Sequence, residues 1–246
     1  MAGPIAHIFS VLTVLNSNAI EANNRTKMII GTSFPDIRYL KVIERTETHE
    51  KNITWDDVVN AQSDFEKGRL LHCLLDVALE QFVEKNNLQK ALGHCPFHSQ
   101  ILKFYADIVV YKMVENWHEI CPAFDTIASE EIAFNISQND ILYWHKLLKK
   151  YCKKQPDVDQ ILLLLKQYIA FLVKKENNFF KRLLLQCKGV VLYHIVYFKL
   201  GTIIHTLEKN HALTDSLIFF YTHLEEFLKR YKANNEKLSK QCKSHP

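Results

Sequence analysis

His72 and Asp76 stand four residues apart in the stretch "GRLLHCLLDVAL". On a helix both side chains leave the same face, with Cβ atoms about 5–6 Å apart. An imidazole nitrogen beside a carboxylate oxygen is a two-ligand clamp for an ion that accepts mixed N and O donors, such as Zn²⁺, Mn²⁺ or Fe²⁺. The plainer reading of an isolated pair is a hydrogen bond on a helix surface. The setting argues against it, because the neighbours are apolar nearly all round and a buried ionised aspartate needs a partner or a cation.

Other residues could complete such a clamp. Asp36 lies in "FPDIRYL", where Pro35 is expected to hold Phe34 extended and to set the aspartate just past the apolar helix end "KMIIGTSF". Asp36 is then a ligand or a general base, or else the N-cap of a short helix. His49, in the polar loop "RTETHEKN", reads by itself as an exposed loop histidine. His7 in "GPIAHIF" interrupts an apolar run that a packing helix would fill without it. Glu80, two turns beyond His72, is an extra ligand or a solvent-facing side chain. His94 and His98 flank Pro96, a helix-starting proline, so they need not share a face. His194, His205 and His223 fall in apolar helical runs without ligand-like spacing and read as core or interface histidines. The chain has no Gly-rich phosphate loop, no G-x-S-x-G and no H-E-x-x-H.

The elements that must position these residues are helical. Apolar residues recur at helical spacing in "FEKGRLLHCLLDVALEQFVEK", "FHSQILKFYADIVVYKMVENW", "DQILLLLKQYIAFLVKKE", "FFKRLLLQCKGVVLYHIVYFKLGTIIHTLEK" and "DSLIFFYTHLEEFLKRY", and strand alternation is nearly absent. Ser63 or Asp64 caps the first of these and Pro96 opens the second, whereas Gly189 and Gly201 can kink or break the fourth. The expected fold is an all-α domain of about eight helices. It comprises a metal-site region over residues 1–120 and a basic region over residues 121–246 packed on it as one continuous domain.

Composition narrows the function classes. With 246 residues, 48% of them hydrophobic and 24% charged, the chain can bury a core without staples. Residues 1–123 carry 12 Lys+Arg against 15 Asp+Glu and residues 124–246 carry 19 against 12, so the second half is the basic one. Its Lys-rich, aromatic-rich helices suit an anionic membrane surface or a protein partner, with nucleic acid the weaker option; most such excesses are solvated faces. The six cysteines form no C-x-x-C pair and read as reduced, intracellular thiols. No signal peptide or transmembrane helix is recognised.

The order "GPIAHI", "IIGTSFPDIRYL", a loop histidine and "GRLLHCLLD" resembles the all-helical zinc-dependent phospholipase C family, whose fold is shared with single-strand-specific zinc nucleases, over about the first 110 residues. The resemblance implies a zinc cluster that hydrolyses phosphodiesters. His7, His49 and His72 would be ligands, Asp76 would bridge two cations, and Asp36 would orient or deprotonate the attacking water. The departures imply a reduced site. No histidine follows the H-x-x-x-D pair until His94, and the next expected H-x-x-x-E pair reads His98 to Leu102, a residue that cannot ligate. Asp107 cannot stand in for Leu102, because nine residues of helix place it opposite His98. The family's N-terminal tryptophan ligand is also missing.

The resulting expectation is a phospholipase C-like phosphodiester hydrolase carrying one or two zinc or other divalent ions. Asp36 is the catalytic residue, the ligands come from His7, His49, His72, Asp76 and His98, and the substrate is a phosphoester, phospholipids included. The alternative is a catalytically inactive helical scaffold that binds a protein or an anionic membrane through its basic half.

Overall fold

Gly3 and Pro4 open helix α1 (Pro4–Asn16), whose side chains from Ile5 to Leu12 are all buried. The helix carries no capping side chain of its own. Asp107 fills that role from another helix, accepting a hydrogen bond from the Ala6 N–H at 2.9 Å. A β-carbon on Gly3 would stand 2.2 Å from the Asp107 carboxylate, so only glycine fits where the two elements meet. The structure, a computed structural model, describes residues 2–92, 98–114, 116–175 and 201–230.

Helix α2 (Arg25–Ser33) is capped by Asn24, which accepts from the Lys27 N–H, and runs directly into a 3-10 turn over Phe34–Leu40. Short helices α3 (Arg45–Thr48) and α4 (Trp55–Val59) lead to α5 (Asp64–Lys85), which Ser63 caps as its sequence predicts. After these come α6 (His98–Tyr111), α7 (Trp117–Ile120), α8 (Ser129–Ile132), α9 (Gln138–Cys152), α10 (Val158–Lys175), α11 (residues 201–208) and α12 (His211–Thr222). Among the described residues there is no strand, and the all-α expectation holds.

Two boundaries differ from the periodic pattern. The expected helix ending "KMVENW" stops at Tyr111, because Trp117 folds back to stack on the Tyr111 ring at 4.9 Å and to donate its indole N–H to the Tyr111 carbonyl at 3.0 Å. The run "DSLIFFYTHLEEF" breaks at His223. Pro96, Gly189 and the polar C-terminal stretch lie outside the described residues.

Helices α2 and α5 meet backbone to backbone. A β-carbon on Gly31 would stand 2.0 Å from the Phe65 carbonyl oxygen, and one on Gly68 would stand 2.1 Å from the Met28 carbonyl oxygen. One glycine on each helix therefore removes the layer of side chains that ordinarily keeps helix axes 8–10 Å apart. Above this contact, α1 and α12 close the core; Phe9 meets Tyr221 edge-on at 5.9 Å and Phe82 meets Phe220 at 4.9 Å. Cys73, Cys121 and Cys152 are buried free thiols, while the other three cysteines lie outside the described residues. Among the described residues no helix is long and apolar enough to cross a membrane.

Candidate metal centre

His72 lies one turn beyond Gly68 on α5, where the backbone of α2 is closest. Its Nδ1 sits 2.8 Å from the Thr32 carbonyl oxygen. A carbonyl only accepts, so Nδ1 carries the proton and Nε2 keeps a lone pair. That Nε2 is buried and has no hydrogen-bond partner. His7 of α1 stacks on His72 with ring centroids 3.6 Å apart and planes within 10°, and both of its ring nitrogens are buried without a hydrogen bond. Buried polar nitrogens nearly always have partners; here several unpartnered ones face the same space.

Asp76, one turn after His72, presents one oxygen to each ring. Oδ1 lies 3.4 Å from His7 Nε2, and Oδ2 lies 3.9 Å from His72 Nε2. The Ala2 N–H donates to Oδ1 at 2.6 Å. Burial raises the carboxyl pKa, but the contacts with His7 and His72 outweigh it and hold the group well below the usual carboxylate range.

Asp36 arrives from the 3-10 turn after α2. Phe34 is helical (φ −64°, ψ −43°), not extended as Pro35 predicts. Packing of its ring against Phe65 and Phe134, at 5.3 and 4.6 Å, overrides the pre-proline preference. The Trp144 indole N–H donates to the Ser33 carbonyl at 3.1 Å and pins the start of the turn. Asp36 is buried mid-turn instead of capping a helix. Burial opposes its charge, yet Lys103, His72 and His7 hold the carboxyl below its ordinary value.

His49 is half-buried, not the exposed loop histidine its polar neighbours suggest. Its ring meets that of His72 edge-on at 5.0 Å. The Thr48 hydroxyl lies 2.9 Å from His49 Nδ1 and donates to the Pro35 carbonyl at 3.3 Å, tying the loop to the Asp36 turn. With that proton committed, Nδ1–H donates to the hydroxyl and the buried His49 Nε2 is left without a partner. Burial, then the nearby Arg45, lowers the His49 pKa to about 4. Arg69 of α5 grips the loop on both sides of His49, donating to the Thr48 carbonyl at 3.0 Å and pairing with Glu50.

Five of the expected site residues thus converge. Their ligand atoms form two triads, His7–His72–Asp76 and Asp36–His49–His72, each with all atoms within 4.8 Å of one another. His72 belongs to both but has one free nitrogen, so it can serve a single ion. A second ion would rely on the remaining residues and on the other Asp76 oxygen. Imidazole nitrogens without hydrogen-bond partners, two of them on rings whose far side is committed, together with ionised carboxylates, are the donor set a divalent transition metal takes. These buried His/Asp groups can hold a metal ion.

The remaining candidates fall elsewhere. His98 opens α6, but its side chain, like His94 and His194, lies outside the described residues. Leu102 is buried core, and Glu80 is exposed. His205 is exposed, not a core histidine, because its face of α11 points away from the packing. Sequence reading overlooked Thr32, Arg38, Arg69, Lys103 and the capping role of Asp107. Of these, only Arg69 and Lys103, charges set within apolar helical runs, leave a trace in the sequence. No family model, curated protein or solved structure matches the chain.

Proposed function

We propose that the protein is a metal-dependent phosphoesterase, with zinc as the expected ion and a phosphodiester as the expected substrate, in line with the phospholipase C-like order of its site residues. The observation that carries this reading is the set of unpartnered imidazole nitrogens of His7, His49 and His72 gathered around Asp36 and Asp76. When bound, the ion supplies Lewis acidity toward the phosphoryl oxygens and the attacking water.

The protein's own residues do the rest. His72 is fixed in orientation and tautomer by Thr32, and His49 by Thr48. Asp76 spans the two histidines that face it. Asp36 has a lowered proton affinity, and a general base works best with a pKa near the working pH. Its part is therefore to hold cation and water in place more than to store a proton.

Metal analysis of the purified protein by mass spectrometry tests the reading, paired with hydrolysis of bis(p-nitrophenyl) phosphate. At least one equivalent of bound transition metal is expected, lost together with activity in His72→Ala. A wild-type protein that takes up no metal leaves the helical scaffold as the better description.

A further inference from the structure

The geometry points to a phosphate-binding subsite beside the metal centre, formed by the Lys103 ammonium, the Arg38 guanidinium and the Tyr39 hydroxyl, that receives the phosphoryl group of the substrate. The inference rests on the proposed function and names the group that the site grips.

Lys103 projects from α6 with 8% of its surface exposed. Its ammonium lies 3.3 Å from the Tyr39 hydroxyl and 3.7 Å from Asp36 Oδ2. Arg38 comes from the other side, with Nη2 2.9 Å from the Tyr39 hydroxyl and 3.5 Å from Asp36 Oδ1. Arg38 Nε is buried and has no hydrogen-bond partner. Tyr39 is 38% exposed, Arg38 half-buried and Lys103 buried, so the three form a descending path from solvent to Asp36.

Charge identifies the ligand. Without metal, the two cations match the carboxylates of Asp36 and Asp76. Each divalent ion then leaves an excess of positive charge in a region of low dielectric, and buried charge calls for a counter-charge. An ammonium and a guanidinium that converge on one hydroxyl and one carboxylate beside a metal centre suit a tetrahedral oxyanion, which offers oxygens in three directions, better than a planar carboxylate.

Inorganic phosphate titrated into the metal-loaded full chain by calorimetry tests this, with metal content measured on the same samples. Lys103→Met is expected to weaken phosphate binding roughly 10- to 100-fold, and Arg38→Gln about tenfold, the worth of a lost charged hydrogen bond, with metal content unchanged. Tyr39→Phe and Arg38→Gln, nearer the surface, keep the test open if Lys103→Met fails to fold. Unaltered phosphate affinity in the folded variants, or acetate competing as well as phosphate, overturns the subsite. Absence of metal in the wild type defeats the proposed function instead. Phosphate is then titrated into the metal-free chain: binding that is lost in Arg38→Gln upholds an anion subsite on its own, and no binding in the wild type overturns it, because the positive excess that calls for the anion then never arises.

Discussion

The imidazoles of His7 and His72 lie face to face, 3.6 Å between centroids, although 65 positions separate them in the chain. Two buried rings in this arrangement repel one another once charged, and the closeness of His7 adds to burial in keeping His72 neutral. Neutral imidazoles are the form that binds metal. Removal of metal should therefore destabilise the fold. With the ion at about a hundred times its dissociation constant, linkage is worth about 2.7 kcal/mol. Chelation should lower the thermal midpoint by roughly 5–11 °C for a chain of this size, read by circular dichroism with and without EDTA.

Gly68→Ala should disturb the centre from a distance. Its new methyl group would meet the Met28 carbonyl at 2.1 Å, so α2 and α5 must spread and the Thr32 to His72 hydrogen bond must lengthen. A loss of about 1–3 kcal/mol in urea denaturation is expected, together with weaker metal binding. Gly201→Ala, where nothing lies within 4 Å, is the matched control; it should be neutral or stabilising by up to about 1 kcal/mol.

Arg69→Met should loosen the His49 loop while leaving α5 in place, since the clamp on Thr48 and Glu50 is lost but the backbone of the helix is not. Metal affinity should fall about 10- to 100-fold, as for other residues that orient a ligand. Isotope-edited NMR of the histidine rings should show His49 mobile and His72 unchanged. Equal disturbance of both rings would contradict the clamp.

The metal-free protein should lose stability as pH falls from about 6.5 to 4. His49 titrates near 6.5 when unfolded and near 4 when folded, and His72 is shifted the same way, so the unfolded chain holds more protons in this window. Asp107 acts oppositely. Burial raises its pKa from 3.8 to about 7, so the folded chain holds the extra proton and the contribution of Asp107 grows as pH falls through 7. Asp107→Asn keeps an acceptor for the Ala6 N–H but removes that titration, and its stability should decline more steeply with acid than the wild type. Urea midpoints across pH 4–7.5 measure both slopes; parallel curves would refute the assignment.

Much of the centre was legible because its residues announce themselves locally. The i, i+4 spacing of His72 and Asp76 needs only a helix, and Ser63 with its apolar run supplies one. Asp36 and His7 were legible as types out of place: an acid after an apolar helix and a histidine in an apolar run. The cations were not. Lys103 reaches Asp36 across 67 positions, and Asp107 caps α1 across 101. A long polar side chain on a helix gives no local sign of which distant group it will meet. His49 was misjudged for the same reason, because its loop is polar in sequence and half-buried only after Arg69 and Thr48 draw it down.

By itself the sequence determined that the chain is helical and which of its residues carry side chains that can ligate. These follow from backbone periodicity and side-chain chemistry, which act over a few residues. Only the tertiary structure decided which ring nitrogen of His72 is free, that His7 lies over it, and that Lys103 and Arg38 guard Asp36. Those depend on how closely α2 and α5 approach and on where α1 and α6 cross them. Such distances are set by the packing of the whole core, to which every buried residue contributes and no short segment corresponds.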